Sequence, residues 1–228
     1  MINKKIFSFF ILGTLIHTAS AQVRLVLSAA LTENFFEFRK QQYLESFAIL
    51  SRYGYPNPYI VEAIQKKGLT YLDSYSTNVF YAQTNNPRLR NKGINEAKTI
   101  LEGLKYFNFS ADDMILKLTG RYHFKSDYFL RLVENNQQYD AIVRFAPDGQ
   151  QDTCCFAMKN KHLQEMFEVL DYTTMEHHML NLEFVVAQYV QKKIRSGELN
   201  VLVVTTMDLQ ANYHASSTNP GAEGIVNF

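Results

Sequence analysis

The run Lys117-Leu118-Thr119-Gly120-Arg121-Tyr122 closes a predicted strand, Met114 to Leu118, with Lys117 and Thr119 on one face and a glycine that permits a sharp exit, so that backbone can approach a ligand. Arg121 then projects at the open edge of the sheet. A guanidinium there either holds a phosphate through paired charge-assisted hydrogen bonds, each about 1.5–3 kcal/mol, or pairs with Asp127. A second polar run, Asn85 to Glu96, follows another predicted strand and opens a helix. Its cations Arg88, Arg90 and Lys92 and the amide of Asn95 meet free helical N–H groups, which suits an anion and equally an ordinary solvated loop capped by Asn95. The spacing of Gly93 matches neither a Walker loop nor a Rossmann fingerprint and argues against a general nucleoside triphosphatase.

Glu176 and Glu183 lie seven residues apart within a predicted helix, Met175 to Arg195, and so share a face. One of them can serve as a general base while the other is structural; two solvated helix acids are the plainer alternative. His177 and His178 diverge by about 100 degrees on a helix, and no HExxH occurs, so no metal site is expected. Cys154 and Cys155 are adjacent, point to opposite faces of a strand and cannot close a loop, which makes them buried thiols rather than a redox or metal pair. Asn108-Phe109-Ser110 matches the glycosylation pattern, a short motif with a high chance rate.

These side chains need elements to aim them. Val23 to Leu31 is an apolar run of strand length, and Thr32-Glu33-Asn34 offers caps for a helix that runs to about Arg52 and stops at Gly54. Strands are predicted at Tyr59–Ala63, Asn78–Ala82, Met114–Leu118, Asp140–Phe145, Thr153–Met158 and Val201–Thr206, and helices at Asn95–Tyr106, Ser126–Glu134, Lys161–Leu170 and Met175–Arg195. Pro147-Asp148-Gly149 joins two of the strands, an arrangement open to a hairpin. Strands alternating with helices at this spacing indicate an α/β sandwich with a largely parallel sheet and helices on both faces. Ligands of such sheets bind at the carboxyl ends of the strands, which places the informative residues just after Leu31, Ala82 and Leu118.

The 228 residues, 46% hydrophobic and 20% charged, can bury one core and exclude a disordered tail or a fibre. Lys4 and Lys5, the apolar stretch Ile6 to Ile16 and the small residues Ala19-Ser20-Ala21 form the three parts of an export signal, with cleavage expected before Gln22. Eleven apolar residues are too few for a membrane helix, which needs about 20. Without residues 1–21 the 23 basic residues become 21 against 22 acidic ones, a balance that excludes a general polyanion binder and hence a nucleic-acid partner. The mature protein is expected to be exported, and to meet a membrane only through the signal if it stays uncleaved.

The strand Val23 to Leu31, the segment Asn85 to Ala97 and above all Met114-Ile115-Leu116-Lys117-Leu118-Thr119-Gly120-Arg121-Tyr122, followed by Tyr139-Asp140-Ala141-Ile142-Val143-Arg144, resemble a group of GT-A-type glycosyltransferase-like proteins of the nucleotide-diphospho-sugar transferase superfamily. The resemblance extends from Val23 to Gly224 and includes Cys155-Phe156-Ala157-Met158-Lys159 and Ala215 to Gly221. It implies a Rossmann-like GT-A sandwich over residues 22–228 as one domain, with the first strand and Asn85 to Glu96 bordering a nucleotide and Lys117 to Tyr122 in place of the metal-binding DxD. A DxD gives carboxylates to a divalent ion; Thr119-Gly120-Arg121 gives a cation and no acid. Asp112 and Asp113 precede the strand, at its opposite end.

The resemblance therefore implies diphosphate binding with no divalent metal or other cofactor, by Arg88, Lys92, Asn95, Lys117, Thr119, Gly120 and Arg121. Glu183, less well Glu176, or Asp140 would stand near the acceptor hydroxyl. The implied activity is transfer of a sugar from a nucleotide sugar to a glycan, lipid or protein acceptor. The alternative, which the missing carboxylates favour, is a non-catalytic carbohydrate- or nucleotide-binding module. An exported hydrolase is the weakest reading, since no GxSxG occurs. Nucleotide sugars are cytoplasmic or Golgi-lumenal, so export into a bacterial periplasm would separate a transferase from its donor; either the host is eukaryotic, the signal is retained as an anchor, or the protein is not a standard transferase.

Overall fold

A computed structural model describes residues 21–32, 36–213 and 224–227. The expected signal, the helix caps Glu33 and Asn34 and the segment Ala215 to Gly221 lie outside the described residues. Short apolar runs form the strands β1 (Val23–Ala29), β2 (Tyr59–Glu62), β3 (Val79–Tyr81), β4 (Met114–Thr119), β5 (Tyr122–Phe124), β6 (Ala141–Val143), β7 (Cys155–Lys159), β8 (Val201–Val203), β9 (Leu209–Tyr213) and β10 (Gly224–Asn227). The helices are α1 (Phe36–Arg52), α2 (Lys92–Phe107), α3 (Tyr128–Asn135), α4 (Asn160–Val169), α5 (Tyr172–His178) and α6 (Leu182–Arg195).

Seven strands make one sheet in the order β3-β2-β1-β4-β7-β6-β8. Every pairing is parallel except those of β7, which runs against β4 and β6. The expected α/β sandwich with a mostly parallel sheet is thus the fold. The β6–β7 pair is the hairpin, extended by the bridge between Phe145 and Gln151 and turned at Gly149, whose φ of 84° suits glycine. Three further strands, β10-β9-β5, form a small antiparallel sheet.

Strand alternation divides the core. Leu25, Leu27, Leu116 and Leu118 face α1 and α3 through Tyr43, Phe47, Leu50 and Phe129. Val26, Ile115, Phe156 and Met158 face the other helices through Ile94, Ile100, Leu104, Leu163, Met166 and Val186. Gly103 lets α2 lie against β2, since a Cβ there would come within 2.4 Å of the Val61 side chain.

The expected single helix Met175–Arg195 is two. Met179 takes a left-handed conformation, φ 54°, which ends α5, and Asn181 restarts the chain by accepting from the Phe184 N–H. Glu176 and Glu183 consequently do not share one continuous helical face. Among the described residues no helix is long and apolar enough to cross a membrane.

Candidate functional site

The carboxyl ends of β1 and β4 and the entry to β7 meet at one edge of the sheet, because β7 runs antiparallel to β4. Lys117 lies on the α2 face of β4, 1% exposed. A buried ammonium requires partners, and Lys117 has three: Glu96 Oε1 at 2.6 Å, Thr119 Oγ1 at 2.9 Å and the Thr153 carbonyl. All three of its hydrogens are taken up. Ser28, at the end of β1, approaches both Glu96 Oε1 (3.4 Å) and Thr119 Oγ1 (3.5 Å). Burial pushes the Glu96 carboxyl up, but the adjacent Lys117 ammonium, its hydrogen bond and the charge of Arg121 together hold it below the usual carboxylate range.

Thr153 carries the cluster on to α6. Its hydroxyl donates to Glu183 Oε1 at 2.7 Å, and the Glu183 carbonyl accepts from the Gln151 N–H. Next to it, Arg144 pairs with Asp152. Burial raises the Asp152 carboxyl and Arg144 counters only part of that rise. The Cys154 carbonyl accepts from Thr119 N–H, and burial pushes the Cys154 thiol up to about 12. Both cysteines are free thiols, as their adjacency implied.

Arg121 is half-buried at the turn between β4 and β5 and forms no ion pair with a described carboxylate. Asp127, the alternative partner, instead pairs with Arg131 at 3.2 Å. The guanidinium of Arg39 shares this corner: it donates to the Ala30 carbonyl, and burial, with Arg121 nearby, lowers its pKa. Gly120 is required here by packing. A Cβ would come within 2.8 Å of the Tyr43 ring, whose hydroxyl accepts from the Ala30 N–H. The close approach that the glycine permits is to Tyr43.

The Asn85–Glu96 segment is bound from within. Glu176 accepts the N–H groups of Arg90 (2.9 Å) and Asn91 (3.0 Å), so an acid of this chain occupies those amides and is held below the usual carboxylate range by them. Asn91, rather than Asn95, caps α2, accepting from Gly93 N–H. Asn95 clamps Asn86 through both its N–H and its carbonyl. Lys92 turns back to the Leu89 carbonyl at 2.9 Å, and Arg88 is exposed.

Asp140, expected near the acceptor hydroxyl, lies at the amino end of β6. Its partners are Lys159 (2.9 Å) and the Asn200 N–H (3.0 Å). Ala141 pairs with Met158 and Met114 with Lys159, which places Asp140 at the far end of the sheet, about 17 Å from Thr119 at 3.3 Å per residue. Asp113, buried against Arg24, and Asp112, paired with Lys161, occupy that same end. The structure therefore gathers Lys117, Thr119, Gly120, Arg121 and Glu183 with Ser28, Glu96 and Thr153, and leaves Asp140 apart. The sequence signal for Glu96 is indirect: a lysine within the apolar strand Met114–Thr119 demands an acid facing it.

A cavity of about 480 Å³ lies elsewhere, between α4, α5 and α6, lined by Glu165, Leu170, Met175, Val185, Tyr189 and Lys193. None of the expected donor residues lines it. Among the described residues no group of His, Cys, Asp and Glu is arranged to hold a metal ion.

Fold and site define an α/β protein with a polar cluster at the carboxyl edge of a mostly parallel sheet. No family model matches the chain, and no curated protein matches it. Among solved structures it is similar to 4-diphosphocytidyl-2C-methyl-D-erythritol synthase, with TM-score 0.47 and 12% identity over 81% of this chain and 89% of that one. It is also similar to the glycosyltransferase GlyE of Streptococcus pneumoniae TIGR4, with TM-score 0.46 and 9% identity over 80% of this chain, and spans 46% of GlyE. The galactosyltransferase LgtC, solved with donor and acceptor sugar analogs, gives TM-score 0.39 and 15% identity over 79% of this chain and 73% of LgtC. These figures describe a likeness of chain path; the chemistry of the site rests on its own residues.

Proposed function

We propose that the protein is a glycosyltransferase that moves a sugar from a nucleotide-sugar donor to a glycan, lipid or protein acceptor, without a divalent metal. The observation that carries this reading is Arg121: a half-buried guanidinium at the carboxyl end of a central strand, with no described carboxylate paired to it and a second guanidinium, Arg39, in the same corner. Two guanidiniums at such an edge, neither in an ion pair among the described residues although Glu62 lies near Arg39 and Glu96 near Arg121, suit a diphosphate. In this reading Arg121 and Arg39 balance charge on the leaving nucleotide where a DxD would do so through a metal ion, while Lys117 is taken up within the cluster by Glu96, Thr119 and Thr153. Glu183, anchored through Thr153, in this reading receives the acceptor's proton. Arg88 and Lys92 flank the donor side as further positive charge. The chain acts after export, directed by residues 1–21.

The test is binding of UDP-, GDP-, ADP- and CMP-sugars to the chain from Gln22 onward, by calorimetry, with manganese and with EDTA. Binding that survives EDTA, followed by sugar transfer in an acceptor screen, supports the reading. Binding that requires manganese overturns its metal independence. Saturable binding with no product for any acceptor replaces it by the non-catalytic module.

A further inference from the structure

We propose that Glu96 is a ligand-contacting residue of this site, accepting a hydrogen bond from a hydroxyl of a phosphorylated sugar whose phosphate lies on Arg121, and that Lys117 is the positioning residue that holds it there. The proposal rests on the nucleotide-sugar reading above and names the group that reads the sugar.

Lys117 cannot itself be the contact. It is 1% exposed and its three hydrogens go to Glu96, Thr119 and Thr153, so no donor remains for a ligand. Stability alone does not call for the pair, since replacing both partners of a buried ion pair by well-packed apolar residues is commonly neutral, although removing only one of them is costly. What the ammonium does is hold one carboxylate oxygen of Glu96 at 2.6 Å. The other oxygen, Oε2, has no hydrogen bond among the described residues, and the Glu96 side chain is 32% exposed. A carboxylate with one oxygen anchored and the other open accepts only, and the matching ligand group is a donor: a hydroxyl.

The neighbours define which hydroxyl. Glu96 feels the charge of Arg121 at the β4–β5 turn, and Ser28 and Thr119 place hydroxyls beside it. An anion-binding cation next to a hydroxyl acceptor describes a phosphate ester of a polyol. Two sources share that chemistry, the ribose of the nucleotide and the sugar joined to the diphosphate. Thr119, which already accepts from Lys117, has its own proton left to donate alongside.

The experiment compares wild type, Glu96→Gln and Glu96→Asp by calorimetry with pyrophosphate, with the four nucleoside diphosphates, with their 2′-deoxy forms and with the corresponding nucleotide sugars. Gln still accepts from Lys117, and Asp keeps the charge while shortening the reach, so the two variants guard against a misfolded protein. Both are expected to lose tenfold or more in affinity for the nucleotide sugar that wild type binds, with pyrophosphate unchanged. A loss already present with the nucleoside diphosphate and absent with its 2′-deoxy form assigns the ribose; a loss confined to the nucleotide sugar assigns the sugar. Variants that bind as wild type does overturn the proposal alone, whereas a wild type that binds no nucleotide sugar overturns the reading beneath it and the proposal together. For Lys117 the readout is the pH profile of binding. Glu96 is faced by Lys117 from β4 and feels the charge of Arg121 at the β4–β5 turn, with Asp152 and the Cys154 thiol on the segment that enters β7. Lys117→Met is expected to raise the pH below which nucleotide-sugar affinity falls, because the ammonium that holds the Glu96 carboxyl down is gone. An unmoved midpoint overturns the positioning role.

Discussion

Lys117 and Glu183 are joined through a single residue: the Thr153 carbonyl accepts from the Lys117 ammonium, and the Thr153 hydroxyl donates to Glu183 Oε1 at 2.7 Å. The carboxyl end of β4 and the first turn of α6 are therefore positioned by one side chain and its own backbone. Glu96, on the other side of Lys117, is tied to the same network.

Arg121→Ala should weaken binding of the nucleotide sugar tenfold or more, equivalent to about 1.4 kcal/mol, in the presence of EDTA. Because Arg121 forms no described ion pair, thermal stability should change by less than about 0.5 kcal/mol. Calorimetry with a parallel melting curve checks both. Unchanged affinity with a lowered Tm would show that Arg121 is structural.

Lys117→Met should be destabilising, and the penalty should depend on pH. With Lys117 present, Glu96 has a folded pKa below its ordinary value of 4.5, so its contribution is present above that value and is lost as pH falls through the folded one. In the variant this contribution is gone. The Tm difference between wild type and variant should be largest near pH 7 and shrink below about pH 4. A difference that is constant from pH 7 to pH 3 would assign the loss to packing.

Gly120→Ala should cost about 1–3 kcal/mol, from overpacking against a ring that cannot swing away. Tyr43 is 2% exposed and tied to the Ala30 N–H, and the new Cβ would stand 2.8 Å from two of its ring carbons. For a chain of this size each kcal/mol lowers Tm by roughly 2–4 °C. Gly120→Ala in a Tyr43→Leu background should recover part of the loss; full additivity would argue against the contact.

Asp140→Asn should separate the two ends of the sheet. It weakens the bond to Lys159 and is expected to lower stability by about 1–2 kcal/mol. Nucleotide-sugar affinity and any transfer rate should stay as in wild type. A loss of activity out of proportion to the fall in Tm would return Asp140 to the acceptor site.

Cys154 and Cys155 should resist alkylation. Burial raises both thiols, Cys154 to about 12, so little thiolate exists at pH 8. Iodoacetamide at pH 8 should label neither in the native protein and both after denaturation, as read by mass spectrometry.

The path of the chain was legible locally. β1, β2 and β4 are runs of apolar residues of strand length, α2 carries its apolar face at Ala97, Ile100 and Leu104, and their alternation implies the parallel sheet. The rule that parallel sheets bind ligands at carboxyl ends already separates Lys117 to Arg121, which end a strand, from Asp140, which begins one. What remained hidden is non-local. Met179 breaks a helix with a left-handed turn that no glycine announces, and β5, β9 and β10 are short strands whose pairing depends on one another rather than on local pattern. The residues Lys117, Thr119, Arg121 and Glu183 were visible as types, but the role of each depends on which atoms reach it. A lysine in isolation can meet a phosphate as well as an acid. Only the packing of α2 and the entry of β7 against β4 surrounds Lys117 with three oxygens, turns Gly120 toward Tyr43 and leaves Arg121 outside any ion pair among the described residues, because hydrogen bonds are satisfied across distances in sequence that periodicity does not record.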